Sequence, residues 1–210
     1  MYYSQFEEDH FIVKYCERYG IKLYPVAIEI GASDGITSSN IRHFCTEKGF
    51  KGIYVEPHPE RFKELERNIT GQNTKAIRAA CVSYEDTEFK TIGFKLEPCP
   101  DFSHIDPSSK FHVPIICWND LIISEHIIKI GILSIDVEGE EMNILMDIVV
   151  SKIRPEFIII ESNSTYERIR QMEQLISYGY ILHKMKDKNM LWMDEGLMTP
   201  EQDNAIYDIR

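Results

Sequence analysis

A glycine-rich turn is the first place in this sequence where the backbone could hold a ligand. The apolar run VAIEI leads into GASDGITSSN, in which Gly31 and Gly35 permit close backbone approach and positive φ. In an open α/β sheet, ligands bind outside the carboxyl ends of the strands, where such turns lie. The turn lacks the middle glycine of the G-x-G-x-x-G dinucleotide motif. Polar residues that could cap the next helix follow it: Ser38, Ser39 and Asn40.

Asp34 lies in the middle of this turn and argues against a ligand that carries phosphate. A carboxylate beside a pyrophosphate is repelled by about 1–4 kcal/mol at a surface-like dielectric. S-adenosylmethionine fits better, because it has no phosphate, its sulfonium and amino groups are cationic, and its ribose offers two hydroxyls. Glu29 and Asp34 would attract those cationic groups. The turn therefore predicts a site for this methyl donor, and a purely structural glycine turn is the alternative.

The second apolar run ends in YVEPHP, which places Glu56 at the tip of a predicted strand. An acid at this position of a nucleotide-binding α/β fold reaches the ribose hydroxyls, and its two oxygens could accept from both. Pro57 and Pro59 stiffen the turn into the next helix. Glu56 is therefore predicted to bind the ribose, with a solvated strand-end glutamate as the alternative. His58 is interpreted as a loop histidine rather than a catalyst.

Acids also follow two later apolar runs. In SIDVEGEE, Asp136 and Glu138 come after a predicted strand, and Asp136 would project toward the same crevice as the glycine turn. Capping of the next helix alone explains the acids that follow Gly139. In IIIESNS, Glu161 and Asn163 would stand beside Asp136 if their strands are neighbours. These three residues could hold Mg²⁺ or Ca²⁺, or they could accept hydrogen bonds from a polyol substrate, and the spacing leaves both open.

Short apolar runs alternate with helical patterns, which predicts an α/β sheet with helices on both faces. The Val/Ile-rich runs are typical of buried parallel strands and cover residues 26–31, 52–57, 76–82, 130–136 and 156–162. The helical patterns cover residues 4–19, 59–69, 139–150 and 165–179.

Three local signals refine this outline. Ser4 with Glu7 has the spacing of a capping box at the start of the first helix. Residues 179–194 predict an antiparallel hairpin at a sheet edge. Four prolines within residues 94–115 predict an irregular loop that shapes a substrate pocket.

The composition narrows the range of partners. The formal net charge is −11, from 23 Lys and Arg against 34 Asp and Glu, and the basic residues are interleaved with acids. Nucleic acid is therefore not an expected partner.

Five widely spaced cysteines without a CxxC motif indicate reduced thiols. No apolar stretch approaches the ~20 residues of a membrane span, and the acidic, aromatic N-terminus is unlike a signal peptide, so a cytoplasmic location is expected.

With these residues assembled, the chain resembles the FkbM-type family of S-adenosylmethionine-dependent methyltransferases. The resemblance rests on five segments in order: SQFEED, EIGASDGITSSN, GFKGIYVEPHPERFKELERN, LSIDVEGEEMNIL and RPEFIIIESN. It implies a class I methyltransferase fold, a Rossmann-like α/β sandwich of three layers. Its mostly parallel seven-stranded sheet would end in an antiparallel hairpin. A single domain is expected over residues 1–210, with a helical N-terminal cap at 1–24 and a variable substrate loop at 94–118.

The resemblance also implies residue roles. The motif with Ser4, Gln5 and Asp9 would close over the cofactor, and the residues from Cys81 to Ser83 would lie near the adenine. Asp136 and Glu138 would stand beside the methionine moiety and the acceptor. The predicted cofactor-binding residues are Glu29, Gly31, Asp34, Gly35, Ser39, Asn40, Glu56, Pro57, Cys81 and Asp136.

The predicted reaction is methyl transfer to a hydroxyl of a sugar, glycan or related small molecule. Such a hydroxyl benefits from a general base, for which we expect Asp136, with Glu138, His104 or His112 as alternatives. Metal assistance, a catalytically silent binding domain and an NAD-dependent oxidoreductase are the rival readings. Glu7 replaces a glycine that is usual in the family, and residues 84–118 match it poorly, so acceptor specificity does not carry over. No oligomeric state follows from the sequence.

Overall fold

A seven-stranded sheet forms the centre of the computed structural model, which describes residues 1–71, 73–83, 90–151 and 153–197. From one edge to the other, its strands are β10 (Tyr180–Lys186), β11 (Asn189–Asp194), β9 (Pro155–Glu161), β8 (Ile130–Ile135), β1 (Val26–Ile30), β2 (Lys51–Val55) and β3 (Thr74–Ile77). The strands from β9 to β3 are parallel, whereas β11 runs antiparallel to β9 and β10. This topology confirms the predicted class I methyltransferase fold and its antiparallel hairpin.

Helices cover both faces of this sheet. They are α1 (Glu8–Tyr19), α2 (Arg42–Glu47), α3 (Pro59–Asn68), α4 (Trp118–Ser124), α5 (Glu141–Val150) and α6 (Thr165–Ser177). Neighbouring residues of β1 point to opposite faces, and Ala27 packs in a cluster with α1, α2 and α3, while Ile28 packs in a cluster with α4, α5 and α6. The three predicted layers are therefore present. No helix within the described residues is long and apolar enough to cross a bilayer.

The run at residues 76–82 is not one strand, as predicted, but parts of two strands in different sheets. It ends β3 at Ile77 and then forms β4 (Ala80–Val82). β4 belongs to a four-stranded sheet with β5 (Thr91–Lys95), β6 (His104–Ile105) and β7 (His112–Cys117), in the order β4-β7-β5-β6. Apolar periodicity could not locate the break, because both halves of the run contain apolar residues.

The prediction of an irregular loop at residues 94–115 was wrong where this stretch contributes strands to the same four-stranded sheet. Pro114 lies inside β7, where a proline lacks the N–H for a ladder hydrogen bond. β5 pairs with β7 at Pro114, whereas β4 pairs with the next three residues. Because Pro114 is paired on one side only, the strand tolerates it. The expected substrate loop is thus partly a small sheet, and residues 84–89 and 198–210 of the expected domain lie outside the described part.

The first helix begins later than its capping-box signal predicted. Glu7 occupies the N-cap position with φ 66° and forms no side-chain capping bond. Instead, Ser4 and Asp9 bond reciprocally: the Asp9 N–H donates to Ser4 Oγ (3.1 Å), and the Ser4 N–H donates to Asp9 Oδ2 (3.4 Å). The segment before the helix is thereby fixed, and it also forms a bridge from Ser4 to Ser38 of the glycine turn.

Candidate active site

A cavity of about 360 Å³ opens at the carboxyl ends of the parallel strands. We refer to it as the strand-end cavity. It receives Gly31 from the end of β1, Glu56 from β2, Asp136 from β8 and Glu161 from β9. The strand-tip residues that the sequence singled out are therefore brought together at one edge of the sheet, as parallel pairing requires.

Gly31 is required by the protein's own backbone. Its φ is +83°, and a β-carbon placed on it would stand 1.6 Å from the backbone oxygen of Asp136. The Gly31 N–H donates to the Val55 carbonyl (2.9 Å), and the Asp136 N–H donates to the Ile30 carbonyl (2.9 Å). The ends of β1, β2 and β8 are consequently held in close contact at the base of the cavity.

Glu29 organises the polar residues after the turn. Its buried carboxylate accepts from the Ser39 hydroxyl (2.6 Å) and from the Asn40 N–H (2.7 Å). Burial raises the pKa of Glu29 to about 7 in spite of these hydrogen bonds. Asn40 Nδ2 in turn donates to the Ser134 hydroxyl of β8 (2.9 Å). Glu29, Ser39, Asn40 and Ser134 all line the cavity.

Of the three polar residues predicted to cap α2, one bonds to the start of that helix. Ser39 Oγ accepts from the N–H of Arg42, the first residue of the helix (3.2 Å). Ile41 occupies the N-cap position itself, without a side-chain bond. Ser38 has φ +58° and lines the cavity.

Asp34 and Gly35 are absent from the lining of the strand-end cavity. The Asp34 carboxylate accepts from the N–H groups of Ile36 (2.8 Å) and Thr37 (2.7 Å), and from the Thr37 hydroxyl (2.8 Å). Partial burial raises its pKa, but these bonds outweigh that effect and leave the pKa below its ordinary value. The expectation that Asp34 faces the ligand is therefore corrected: its carboxylate stabilises its own turn.

Gly35 serves packing rather than ligand approach. A β-carbon there would stand 2.4 Å from Leu65 Cδ1 of α3, and φ is +71°. The turn is tied to the end of the same helix, because Asn68 Nδ2 donates to the Asp34 carbonyl (2.8 Å).

Glu56 is buried at the tip of β2 and faces the cavity. One carboxylate oxygen accepts from the N–H of His58 (2.7 Å), and the other accepts from the N–H of Ser33 (2.8 Å). Burial raises its pKa to about 7. Pro57 also lines the cavity. His58 caps α3, since its Nδ1 accepts from the N–H groups of Glu60 and Arg61.

Three carboxylates converge at the other end of the cavity. Asp136, Glu138 and Glu161 each offer an oxygen, and these oxygens lie within 4.8 Å of one another. Partial desolvation and the adjacent Glu161 raise the pKa of Asp136 well above its ordinary value. The Asp136 side chain is open to the cavity. Partial burial, followed by Glu161, also raises the pKa of Glu138.

Lys188, at the turn between β10 and β11, is a cavity residue that the sequence analysis missed. Its Nζ lies 3.3 Å from Glu161 Oε1 and donates to Asn163 Oδ1 (3.1 Å). The exposed Asn163 accepts from Lys188 and does not line the cavity, whereas Glu138 lies with Asp136 and Glu161 in the carboxylate cluster. The sequence signal that could have located Lys188 is the predicted hairpin. Its pairing with β9 brings the hairpin turn to this edge of the sheet.

The N-terminal segment reaches the cavity through Gln5 and Phe6. The Phe6 carbonyl accepts from Lys184 Nζ, and Lys186 Nζ lies 5.3 Å from the centroid of the Phe6 ring. Asp9, within α1, holds this segment by accepting from the Tyr3 N–H (2.6 Å). Of the three residues that the N-terminal motif implied, Gln5 faces the cavity, whereas Ser4 and Asp9 support it.

The small sheet supplies the remaining wall. Cys81, which is buried, and Phe94 line the cavity, whereas Ser83 does not. Burial raises the pKa of the Cys81 thiol. His104 and His112, the alternative bases, are outside the lining, whereas Asp136, Glu138 and Glu161 line the cavity.

Comparison with known proteins agrees with this geometry. Residues 29–182 match the family described as the methyltransferase FkbM domain. No curated protein sequence matches the chain. Among solved structures, the chain is similar to the methyltransferase FkbM from Methylobacillus flagellatus KT at 15% identity and a TM-score of 0.50, covering 84% of this chain and 46% of that chain.

Two structures of the METTL16 MTase domain are also similar. One has 12% identity and a TM-score of 0.53, covering 89% of this chain and 66% of that chain. The other has 14% identity and a TM-score of 0.52, covering 88% and 66%. The chain thus spans about half of the FkbM structure and about two thirds of these two. At such identities the likeness shows the fold, whereas the family match covers most of the sequence. The chain therefore belongs to the FkbM family of methyltransferases, and S-adenosylmethionine is its cofactor.

Proposed function

We propose that this methyltransferase transfers a methyl group to a hydroxyl of a sugar, a glycan or a related small molecule. The observation that carries the proposal is the cluster of Asp136, Glu138 and Glu161 at one end of the strand-end cavity. An alcohol needs a proton acceptor as it attacks, and the carboxylates of this cluster can accept a proton. The family match supports the transfer, and the acid cluster supports oxygen as the acceptor atom.

The cavity fits S-adenosylmethionine in its charge. Its lining includes two cations, Arg61 and Lys188, and each is paired with carboxylates of the chain. Neither is therefore free to neutralise a pyrophosphate, which counts against a dinucleotide. The acids that face the cavity suit a ligand with a sulfonium and an amino group.

Glu56 is the residue that we assign to the ribose. Each of its oxygens accepts one hydrogen bond from the chain, from His58 or from Ser33. A carboxylate oxygen has room for a second donor, so Glu56 keeps acceptor capacity for two ribose hydroxyls. Cys81 and Phe94 give the adjoining wall an apolar character that suits the adenine.

Asp136 is assigned as the general base. Bound S-adenosylmethionine supplies an electrophilic methyl group. Asp136 is open to the cavity, and its raised pKa brings its basicity closer to that needed to accept the hydroxyl proton near neutral pH. Glu138 is positioned to orient the acceptor, and Lys188 balances part of the negative charge through Glu161.

Metal assistance is the second candidate, and the 4.8 Å cluster is the observation that favours it. Carboxylate oxygens are suitable ligands for Mg²⁺ or Ca²⁺. The Lys188 ammonium already provides a cation beside Glu161, which favours the metal-independent reaction. Turnover that is lost with EDTA and restored by Mg²⁺ would support the metal, whereas unchanged turnover in EDTA would support Asp136 acting as base.

The proposal is tested by binding and by transfer, measured separately. Calorimetry with S-adenosylmethionine should show binding to the full chain, and a labelled methyl group should pass to members of a panel of sugars and glycans. Absence of binding would contradict the cofactor site and favour a silent domain. Binding with transfer to amines but to no hydroxyl in the panel would contradict the proposed acceptor class.

The chain's free cysteines support a reducing compartment, and on this basis we place the enzyme in the cytoplasm. All five cysteines are unpaired, and Cys45, Cys81 and Cys117 are buried. Buried thiols of this kind persist where disulfides do not form. The net charge of −11 favours a small-molecule or glycan acceptor over nucleic acid.

A further inference from the structure

The segment of residues 100–105 forms part of the wall of the strand-end cavity, and we refer to it as the roof segment. It begins with the 3-10 turn Pro100–Phe102 and ends in β6. Phe102, which is 58% exposed, lies against the cavity. The other members that line the cavity are Pro100, Asp101, Ser103 and Ile105.

The roof segment is attached to the protein at two points. At its end, Ile105 pairs with Phe94 of β5, which is buried and also lines the cavity. Near its start, Asp101 Oδ1 accepts from the Ser33 hydroxyl (2.7 Å), and Asp101 Oδ2 accepts from Arg61 Nη2 (3.1 Å). Asp101 therefore connects the small sheet to the glycine turn and to α3.

One of these attachments places Asp101 close to Glu56 at the end of β2. Ser33 uses its hydroxyl for Asp101 and its N–H for Glu56, the acid assigned to the ribose. The opposite end, with Asp136 and Glu161, is instead contacted by Lys188 at the turn between β10 and β11. Asp101 thus stands beside the ribose position, and the predicted role of this stretch in selecting the acceptor stays a prediction.

We propose that the roof segment closes over the nucleoside end of the S-adenosylmethionine site and that Asp101 is the residue that positions it. The inference rests on the proposed function. The exposed Phe102 ring offers an apolar surface for the nucleobase. The turn that carries Phe102 is held by the Asp101 carboxylate, through its ion pair with Arg61 and its hydrogen bond from the Ser33 hydroxyl. Asp101 acts through Ser33 and Arg61 and takes no part in methyl transfer.

The test compares binding of S-adenosylhomocysteine to the full chain and its variants by calorimetry. Asp101→Ala should weaken binding about tenfold, which corresponds to the loss of a hydrogen bond to a charged group. Asp101→Asn should weaken it less, because the amide oxygen still accepts from the Ser33 hydroxyl. The matched control is Asp106→Asn: Asp106 bonds to Ser108 and lies outside the cavity lining.

Hydrogen exchange separates positioning from general loss of structure. In the wild-type protein, S-adenosylhomocysteine should slow exchange in residues 100–105, and Asp101→Ala should remove this effect while exchange in β1 and β8 stays unchanged. Wild-type affinity in Asp101→Ala would overturn the role of Asp101, and an absence of ligand protection in wild-type residues 100–105 would overturn the roof. If the wild-type chain binds no S-adenosylhomocysteine at all, the proposed function fails and this inference fails with it.

Discussion

The backbone oxygen of Asp136 occupies the space that a β-carbon on Gly31 would need, at a separation of 1.6 Å. Two residues of the candidate site are thus coupled through the backbone as well as through a shared cavity. Gly31 allows the end of β1 to approach the end of β8, and this approach sets where the Asp136 side chain enters the cavity. The glycine therefore acts on the assigned base through the backbone, and it also lines the cavity.

Gly31→Ala should destabilise the protein strongly, because the methyl group would meet a backbone oxygen that cannot move independently. We expect a loss of about 3 kcal/mol or more beyond the cost of positive φ, measured as the free energy of unfolding in urea. Gly49→Ala is the control, since Gly49 has φ +72° and nothing within 4 Å of the added carbon. Its cost should be limited to about 1–2 kcal/mol of backbone strain. Equal losses in the two variants would contradict the steric argument.

Asp136→Asn should abolish most turnover while leaving the cofactor bound. An amide cannot accept the hydroxyl proton, so the rate should fall about 10²- to 10⁴-fold, whereas the affinity for S-adenosylhomocysteine should change little. The rate is measured with a hydroxyl acceptor that the wild-type enzyme methylates. Glu140→Gln is the control, because Glu140 bonds to Asn143 and lies outside the cavity lining. Full turnover in Asp136→Asn would remove Asp136 from the mechanism.

The strand tips were predictable from the sequence because two signals coincide there. Buried parallel strands appear as continuous apolar runs, and an acid directly after such a run can only project from the carboxyl edge of the sheet. Gly31, Glu56, Asp136 and Glu161 were located in this way, and the structure brings all four to one cavity. The family resemblance implied a mostly parallel seven-stranded sheet, whereas the order of its strands was left open.

The remaining parts of the site depended either on local hydrogen bonds within a turn or on contacts between residues distant in the sequence. The sequence predicts that Asp34 faces a ligand, but its carboxylate accepts from the N–H groups of Ile36 and Thr37, as is common for aspartate in turns. Asp101 and Lys188 reach the cavity through the small sheet and the hairpin. No periodicity in the sequence reports such placements, because they are set by how separate elements pair.

Glu161→Gln should shift the pH dependence of the rate. A protonated Asp136 cannot act as base, so the rate should rise with pH through the pKa of Asp136. Partial desolvation and Glu161 both raise that pKa. Removing the charge of Glu161 should lower it and move the acid limb of the rate profile to lower pH.

The measurement for this variant is kcat across about pH 5–9, the range in which a perturbed carboxyl base titrates. Lys188→Met is the opposite probe, because loss of a cation beside Glu161 disfavours negative charge in the cluster and should move the limb to higher pH. Shifts of the same sign in both variants, or no shift in Glu161→Gln, would show that the charge cluster does not set the pKa of the base Asp136.

Glu29 should make the folding stability depend on pH. Its folded-state pKa is about 7 against an ordinary value of 4.5, because it is buried, so the folded protein binds the proton more tightly than the unfolded chain. The stabilisation is therefore complete below the ordinary pKa and is lost as the pH rises toward about 7. The free energy of unfolding should fall by an amount on the order of 1–3 kcal/mol over this interval. Urea unfolding of Glu29→Gln, which cannot titrate, should show a shallower fall than the wild-type protein. The remainder comes from the other carboxyls whose pKa is raised by burial, among them Glu56 and Glu141. Parallel pH profiles for the two proteins would contradict the prediction. They would show that ionisation of Glu29, with its bonds to Ser39 and Asn40 in place, does not change the free energy of unfolding.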